Sequence, residues 1–438
     1  MTNNVLILGG GLTGLVVGEK LQRNGFNVTI VEKDNDLGGM CRTKIHHAAW
    51  ANYHYDLGPH KFATRQEEAQ KYYDLKMSEN SKISVVIKSR INMYGKWFVY
   101  PIRIFEILKK FPYHGFRCGV DFMLSHLKGD GYTYESYLKG RMGNYTYNFV
   151  FKDFAEKIWG ASYVLDKKLA ETRVITPTII DIIKGILFGD KTTFKKFSYP
   201  KNGMGDFLRN IEESFDHSGG TIYLNSVLRS YNDGNVIIRT PDEDIKLRDC
   251  IVISTIKPQD ICIPMAIEYD DQLKYRDIHL FYYLVPKGKI EDTWDFFTSS
   301  DICFNRVSRN FSPYMSDLDH DIVCVEATSY EGRSVSQDDI TSDFCKVYDV
   351  SINDMWVDKI DGAYPIYNLG YKDTINKLLD KIESDGKVFC IGRHACHNYN
   401  NIDHCIVEAL DLANIIISGG TIEDWKEKRE NYNWVIVD

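Results

Sequence analysis

Three glycines near the start of the chain have the spacing of a loop that binds the phosphates of a dinucleotide. They belong to the segment Gly9-Gly10-Gly11-Leu12-Thr13-Gly14. In this G-x-G-x-x-G pattern the first glycine permits a tight turn, the second lets a pyrophosphate approach the backbone, and the third allows close packing of helix and strand. Glu32, followed by Lys33, lies near the separation at which an acidic side chain binds ribose hydroxyls. The pattern predicts a dinucleotide site, with a purely structural glycine turn as the alternative.

A second glycine turn distinguishes between the common dinucleotides. Gly38-Gly39-Met40-Cys41-Arg42 follows Glu32 closely, so its backbone is predicted to meet the same ligand further along. Arg42 supplies a cation for the phosphates. A simple nicotinamide dehydrogenase has no use for such a turn, which therefore favours FAD. A surface turn is the alternative.

The elements around these turns are predicted to form a layer of parallel strands. Residues 5–8 and 28–31 predict buried strands, and the apolar spacing between them predicts a helix that Gly25 ends. Asp206 and Asp403 are predicted to cap two later helices. Further strands are predicted at 220–224, 235–239, 250–254 and 387–392.

Several later segments resemble the amine-oxidase-like FAD superfamily, whose FAD domain is discontinuous. They are Asp56-Leu-Gly-Pro59-His60, Tyr199-Pro-Lys-Asn-Gly203-Met-Gly205-Asp206, and Gly392-Arg393 with the following Asn401-Ile402-Asp403. The resemblance implies that Pro59 and His60 pass the flavin, with His60 near flavin N5, and that the backbone of Val227 meets the adenine. It also implies that residues from Arg393 to His404 line the flavin and the substrate. A packed loop histidine is the alternative for His60.

The order and spacing of four segments resemble one branch of that superfamily, the UDP-galactopyranose mutases, along essentially the whole chain. The segments are Lys157-Ile-Trp159-Gly with Ala170-Glu-Thr-Arg173-Val174, the tyrosine–proline–glycine loop at 199–205, Phe304-Asn-Arg306 with Asn310-Phe-Ser-Pro-Tyr314, and Gly362-Ala-Tyr364-Pro365 with Asn401-Ile-Asp-His404. The resemblance implies that Arg173 binds the nucleotide diphosphate. It also implies that Tyr364, Tyr399 and Asn401 contact the diphosphate or the sugar. A helix or surface salt bridge is the alternative for Arg173.

The sequence departs from that family in two places. The strand predicted at 278–285 lacks the family's second diphosphate arginine, so Lys287, Arg306 or Arg309 is expected to replace it. The loop after Gly205 lacks the glycine–tryptophan run that encloses uridine in the family, which leaves the base and the sugar open. The resemblance assigns the catalytic positions to His60, Arg173 and Asn401.

The resemblance implies a ring contraction without net redox change. In the family, N5 of the reduced flavin attacks the anomeric carbon of a nucleotide-bound hexopyranose and expels the nucleotide diphosphate. The sugar then closes as a furanose, and the diphosphate returns. For this chain the expectations are reduced FAD renewed by NAD(P)H, an NDP-hexose substrate similar to UDP-galactose, and a role in cell-surface polysaccharide synthesis.

Two other functions remain open at this point. One is an FAD-dependent oxidoreductase of the same superfamily, resembling protoporphyrinogen or amine oxidases. The other is a flavoprotein that acts only as a binding or scaffold module.

The predicted fold class is α/β. A Rossmann-like FAD-binding domain is assembled from residues 1–90, 191–265 and 376–438. A helical insert occupies 91–190, and an inserted mixed or antiparallel β-sheet domain for the substrate occupies 266–375. The length of 438 residues suits two or three domains.

Composition narrows the classes of partner. The net charge of −8 argues against a nucleic-acid-binding protein. No apolar run approaches the roughly 20 residues of a membrane span, and the N-terminus has no signal-peptide pattern. Ten cysteines without a C-x-x-C pair indicate reduced thiols in a cytoplasmic protein. The histidines and cysteines at 394–405 match no zinc spacing, so no metal is expected. A homo-oligomer is compatible with the sequence.

Overall fold

The computed structural model describes residues 3–102, 104–125, 131–174, 195–269, 272–317 and 319–434. Its longer helices are Leu12–Gln22, Glu67–Lys76, Ile104–Lys110, Pro112–Ser125, Tyr134–Met142, Lys152–Trp159, Lys167–Arg173, Met204–His217, Gln337–Tyr348, Tyr371–Ile382, Ile402–Ile417 and Ile422–Glu430. Short helices lie at Asn144–Thr146, Pro258–Cys262 and Gly392–Ala395. Leu12–Gln22 is called the N-terminal helix below, and Ile402–Ile417 the cavity helix.

The strands of the described residues are numbered in chain order. They are β1 Asn4–Leu8, β2 Asn27–Val31, β3 Thr43–His47, β4 Asn52–Asp56, β5 Lys82–Val86, β6 Ser89–Met93, β7 Lys96–Val99, β8 Lys196–Pro200, β9 Thr221–Tyr223, β10 Val227–Asn232, β11 Asn235–Arg239, β12 Asp244–Leu247, β13 Cys250–Ser254, β14 Tyr275–Pro286, β15 Trp294–Phe297, β16 Arg306–Arg309, β17 His320–Ser329, β18 Asp354–Pro365 and β19 Val388–Cys390.

The first sheet is a five-stranded parallel layer in the order β19-β13-β1-β2-β9. Both of its faces are buried, because Val5 and Ile7 of β1 pack into one apolar cluster and Leu6 and Leu8 into another. Near-continuous apolar strands of this kind are typical of parallel sheets covered on both faces. The strands come from three distant parts of the chain, so the predicted discontinuous Rossmann-like domain is confirmed.

The second sheet has seven strands in the order β18-β14-β17-β16-β15-β6-β7. All its pairs are antiparallel except β6 with β15. The strands β6 and β7 lie at 89–99, where the predicted division separates the FAD domain from the helical insert. They nevertheless complete the sheet of the second insert, so the structure differs from the predicted boundary at this point. The rest of the division remains a prediction.

The helices between 134 and 173 pack around an aromatic core. This core contains Tyr134, Tyr147, Trp159 and Leu169, and it also includes Tyr399 from the loop before the cavity helix. The helical region is thereby fixed against the loop that carries predicted site residues. Residues 175–194, which include the end of the predicted helical insert at 190, lie outside the described residues. No helix among the described residues is long and apolar enough to cross a membrane.

Candidate active site

A large cavity lies where the parallel sheet, the seven-stranded sheet and the cavity helix meet. Its volume is about 1510 Å³, larger than the roughly 300–1,000 Å³ of a cleft for one small ligand. Most predicted site residues line it: Gly9, Gly11, Leu12, Thr13, Glu32, Lys33, Gly39, Met40, Arg42, Pro59, His60, Arg173, Val227, Arg306, Tyr364, Arg393, Asn401, Ile402 and Asp403. The structure therefore brings together residues from both ends of the chain.

The first glycine turn has the geometry that a pyrophosphate requires. Gly11 occupies the N-cap of the N-terminal helix, which has no side-chain cap. A Cβ on Gly11 would have no described atom nearer than the Cα of Gly39 at 3.9 Å, so the space beside Gly11 is open cavity. A Cβ on Gly14 would lie 2.0 Å from the carbonyl oxygen of Gly9. The open space and the uncapped helix N-terminus fit an anionic phosphate, whereas Gly14 serves packing.

The carboxylate of Glu32 holds the same turn in place. It accepts hydrogen bonds from the main-chain N–H of Gly10 at 2.8 Å and of Asp34 at 3.0 Å. A carboxylate has about four acceptor positions, so two remain for ribose hydroxyls. The predicted ribose contact therefore stays compatible with the structure.

The second glycine turn is attached to the first. The N–H of Gly38 donates to the carbonyl of Gly10 at 2.8 Å. Arg42 lines the cavity, but its guanidinium pairs with Asp34 and donates to the carbonyl of Gly39 at 2.9 Å. A phosphate at this position would share Arg42 with the carboxylate of Asp34.

His60 lines the cavity. Its Nε2 is 2.7 Å from the carbonyl of Met40 and 3.0 Å from that of Leu57, so Nε2 carries the proton. Burial lowers the pKa of His60, which keeps the ring neutral. The other ring nitrogen, Nδ1, is left as an acceptor. A contact with flavin N5 remains a prediction.

The cavity helix begins at Ile402 and contributes its N-terminus to the cavity. The predicted cap, Asp403, is wrong: Asn401 is the N-cap, and its main-chain N–H donates to Nδ1 of His404 at 3.2 Å. Asp403 lies in the first turn and accepts a hydrogen bond from Thr64 at 2.7 Å. An aspartate in the first turn is as favourable to the helix dipole as a cap, which is why sequence alone confuses the two.

The predicted cap Asp206 is wrong for a similar reason. Gly203, with φ of +100°, is the N-cap of the Met204–His217 helix. Asp206 lies in the first turn, where it accepts a hydrogen bond from Asn202 at 2.8 Å and pairs with Arg209 at 3.0 Å. The neighbouring Asp56 is buried and accepts the main-chain N–H of Met204.

A cluster of arginines and tyrosines forms one end of the cavity. The guanidinium of Arg173 lies 5.1 Å from the ring centre of Tyr399, and that of Arg393 lies 5.7 Å from the same ring and 5.5 Å from Tyr364. The rings of Tyr364 and Tyr399 stack with centres 5.6 Å apart. Burial raises the pKa of Tyr364, with Arg306, Arg393 and Arg173 opposing the rise. Cations from three separate elements therefore converge on one phenol.

Two predicted site residues, one for the substrate and one for the cofactor, lie just behind the cavity wall. Tyr399 does not line the cavity; it lies behind Tyr364 and accepts a hydrogen bond from Trp159 at 2.7 Å. Gly392 also lies just behind the wall, where its φ of +87° and its approach to Thr13 leave no room for a side chain.

Lys287 is wrong as the second diphosphate cation. It is exposed at the far end of β14, where its ammonium donates to the carbonyl of Asp317, and it does not line the cavity. Arg309 does not line it either. Arg306 does, and it pairs with Glu326 at 2.8 Å. Arg306 and Arg309 differ because successive side chains of β16 point to opposite faces of the sheet.

Sequence reasoning missed a buried carboxylate behind the cavity. Glu408, on the cavity helix, accepts hydrogen bonds from Nδ2 of Asn400 at 2.8 and 2.9 Å and from Nε1 of Trp434 at 2.8 Å. Burial raises the pKa of Glu408 to about 7. A charged residue within the apolar run from Ile406 to Ala409 is the signal that could have revealed it. The described residues contain no group of three or more potential metal ligands.

Known proteins are similar to this chain in sequence and fold. Residues 7–74 match a family model described as an NAD(P)-binding Rossmann-like domain. A protein of Klebsiella pneumoniae named "Probable UDP-galactopyranose mutase" is 24% identical over 429 residues, which is 95% of each chain. A dTDP-fucopyranose mutase of Escherichia coli is 22% identical over 436 residues, covering 95% of this chain and 98% of that one. The structure of a reduced UDP-galactopyranose mutase has a TM-score of 0.81 at 16% identity, covering 96% of this chain and 95% of that one. The predicted resemblance to the UDP-galactopyranose mutases is therefore confirmed along nearly the whole chain.

Proposed function

We propose that the chain is a flavin-dependent nucleotide-sugar mutase, an isomerase that interconverts the pyranose and furanose forms of an NDP-hexose similar to UDP-galactose. The observation that carries the proposal is the arginine cluster, which shares one cavity with the dinucleotide turn. A mutase needs both an FAD site and cations for a diphosphate leaving group. The similarity to two nucleotide-sugar mutases over 95% of the chain supports this function.

The residues divide into two groups in this proposal. FAD would be held by the two glycine turns, by Glu32 and by the N-terminus of the cavity helix. When bound in its reduced form, FAD supplies a nucleophilic N5 for the anomeric carbon, and we expect NAD(P)H to provide the electrons. Because two helix N-termini face the cavity, they favour negative charge on bound groups.

The second group would bind the substrate. Arg173 and Arg306 neutralise the diphosphate, and Tyr364 donates its hydroxyl hydrogen to a phosphate oxygen, because burial keeps this phenol protonated. Stabilising the departing diphosphate lowers the barrier to cleavage of the glycosidic bond. Asn401, at the helix N-cap, is placed to orient the sugar. A furanose product would serve cell-surface polysaccharide synthesis.

An FAD-dependent oxidoreductase is the second candidate. It is favoured by the apolar side chains of Ile278 and Leu280 on the same wall, which suit an apolar substrate. Such an enzyme would bleach its oxidised flavin on addition of substrate alone and would not require the arginine cluster.

Turnover of a panel of nucleotide sugars by the purified yellow protein tests the proposal. The panel includes UDP-galactose and dTDP-fucose, with and without dithionite, and the products are separated by chromatography. A furanose product that forms only with reduced flavin is the expected result. No conversion of any nucleotide sugar by protein that retains its flavin would refute the mutase and favour the oxidoreductase.

A further inference from the structure

The chain continues beyond the helix Ile422–Glu430 and lies against the cavity helix. This tail segment, residues 432–434, contacts the cavity helix through two side chains. The hydroxyl of Tyr432 donates to Asp411 at 2.6 Å, and Nε1 of Trp434 donates to Glu408 at 2.8 Å. The rings of Tyr432 and Trp434 stack on each other with centres 4.7 Å apart. The tail segment is therefore attached to the cavity helix at two points about one helical turn apart.

Trp434 also fixes the orientation of the His404 ring. The indole and imidazole rings stack with centres 4.5 Å apart and an angle of 8° between their planes. A histidine ring otherwise has only a broad preference about its last side-chain torsion. Because the indole holds the ring, Nδ1 of His404 stays directed at the main-chain N–H of Asn401, which donates to it at 3.2 Å. The side chain of Asn401 accepts the main-chain N–H of His404 in return, which completes a capping box.

Glu408 provides a second connection to the start of the cavity helix. Its carboxylate accepts hydrogen bonds from Nε1 of Trp434 and, at 2.8 and 2.9 Å, from Nδ2 of Asn400. Asn400 and Glu408 are each 4% exposed, so water competes little for these hydrogen bonds. Trp434 therefore touches both groups that hold Asn400 and Asn401. These two asparagines line the cavity, whereas His404, Glu408 and Trp434 do not.

We infer that Trp434 is a positioning residue, which acts through His404 and Glu408 to fix the N-terminus of the cavity helix beside the flavin site. The inference rests on the proposed function, in which the reduced flavin is the reactive form. The free N–H groups of a helix N-terminus stabilise negative charge, and their effect is confined to the first turn. A displaced N-terminus therefore binds the more negative, reduced flavin less tightly than before, and affects the oxidised flavin less. Removal of the indole should lower the midpoint potential of bound FAD.

The packing of this region depends more on another tryptophan. Trp425, in the preceding helix, is completely buried, and its Nε1 donates to the carbonyl of Cys390 at 3.0 Å. Trp434 is only half-buried. Because hydrophobic stabilisation is roughly proportional to the apolar area removed from water, Trp434 contributes less of it than Trp425. We therefore expect the loss of Trp434 to change the bound flavin more than the stability of the apo-protein.

Anaerobic redox titration of the FAD-loaded full chain against a reference dye tests the inference. The variants are Trp434→Ala, Trp434→Phe and His404→Leu. The matched control, Tyr432→Phe, removes the other hydrogen bond of the tail segment and keeps its ring. We expect Trp434→Ala to weaken the binding of reduced FAD relative to oxidised FAD about tenfold, which makes the potential about 30 mV more negative for a two-electron couple. The control should leave the potential unchanged.

Two of these variants show how Trp434 acts. Trp434→Phe keeps a ring that can stack on His404 but lacks the indole N–H, so its shift should be smaller than that of Trp434→Ala. It also provides the test if Trp434→Ala loses its FAD. Combining Trp434→Ala with His404→Leu should shift the potential by less than the sum of the two single shifts, because residues that act through one another are not additive. Additive shifts would overturn the assigned route through His404.

FAD content and urea unfolding of the apo-protein separate positioning from a merely structural role. An unchanged potential in Trp434→Ala would overturn the inference, even if FAD content or the free energy of unfolding falls, and would leave the proposed function intact. A lowered potential together with a wild-type protein that converts no nucleotide sugar would support the positioning role and refute the mutase. Failure of the wild-type protein to bind FAD would refute both.

Discussion

Gly11→Ala is expected to weaken FAD binding without unfolding the protein. The added Cβ meets no described atom within 3.9 Å, so it projects about 1.5 Å into the cavity beside the turn. A phosphate oxygen held at about 2.9 Å from a main-chain N–H of this turn would be displaced beyond hydrogen-bonding range. Losing one hydrogen bond to a charged group costs about 1.5–3 kcal/mol, which is about a 10- to 150-fold increase in Kd.

Fluorescence titration of the apo-protein with FAD measures the change in Kd. Urea unfolding without FAD measures the free energy of unfolding of the apo-protein. Gly14→Ala is the matched control, because its Cβ would lie 2.0 Å from a backbone carbonyl oxygen. We expect Gly14→Ala to lower the free energy of unfolding without FAD, and Gly11→Ala to leave it near the wild-type value. Wild-type affinity for FAD in Gly11→Ala would refute the placement of the pyrophosphate at this turn.

Three further predictions concern other parts of the site. Arg173→Ala should weaken UDP binding about 10- to 150-fold with unchanged FAD content. Lys168→Ala, on the same helix, should have no effect on UDP binding. A loss of FAD as large as the loss of UDP binding would mean that Arg173 is structural. Glu408 has a pKa raised to about 7, so the native state binds its proton more tightly and the free energy of unfolding should fall as pH rises from about 4.5 to 7. Glu408→Gln should reduce the dependence of the unfolding free energy on pH, as measured by urea titrations. An unchanged pH dependence would contradict the raised pKa of Glu408. Lys157 is 3% exposed and donates hydrogen bonds to three main-chain carbonyls. Lys157→Met should therefore lower the free energy of unfolding by about 3 kcal/mol or more, whereas Lys152→Met should have little effect. Equal free energies of unfolding for the two variants would refute a structural role for the buried ammonium of Lys157.

Local sequence patterns predicted the parts of the fold that depend on neighbouring residues. The strands at 235–239 and 250–254 have the predicted bounds, and the first βαβ unit begins and ends within a residue or two of the prediction. Glycine spacing, apolar runs and turn residues act over a few positions, so one sequence is enough to read them. The same reasoning located the two glycine turns and most of the cavity wall.

Features that depend on distant pairing could not be predicted in this way. Nothing near Ser89 indicates that β6 pairs with a strand 205 residues later, or that Lys287 points away from the cavity while Arg306 points into it. Pairing between distant strands decides which strand ends and which faces meet at the cavity, and a shift of one residue reverses the face of every side chain. The helix caps failed for a local reason, because a first-turn aspartate and an N-cap aspartate give the same sequence signal.

The pairing of β6 with β15 also has a consequence for biosynthesis. At about 5–20 residues per second, the ribosome needs roughly 10–40 s to make the 205 residues between Arg90 and Asp295. During that time the β6–β7 hairpin has an unpaired edge, which can pair with other chains. Lysine and arginine at 88, 90 and 96 charge that hairpin, and charge on an edge strand opposes such pairing. These cations therefore protect the nascent chain before two of them, at 88 and 90, line the finished cavity.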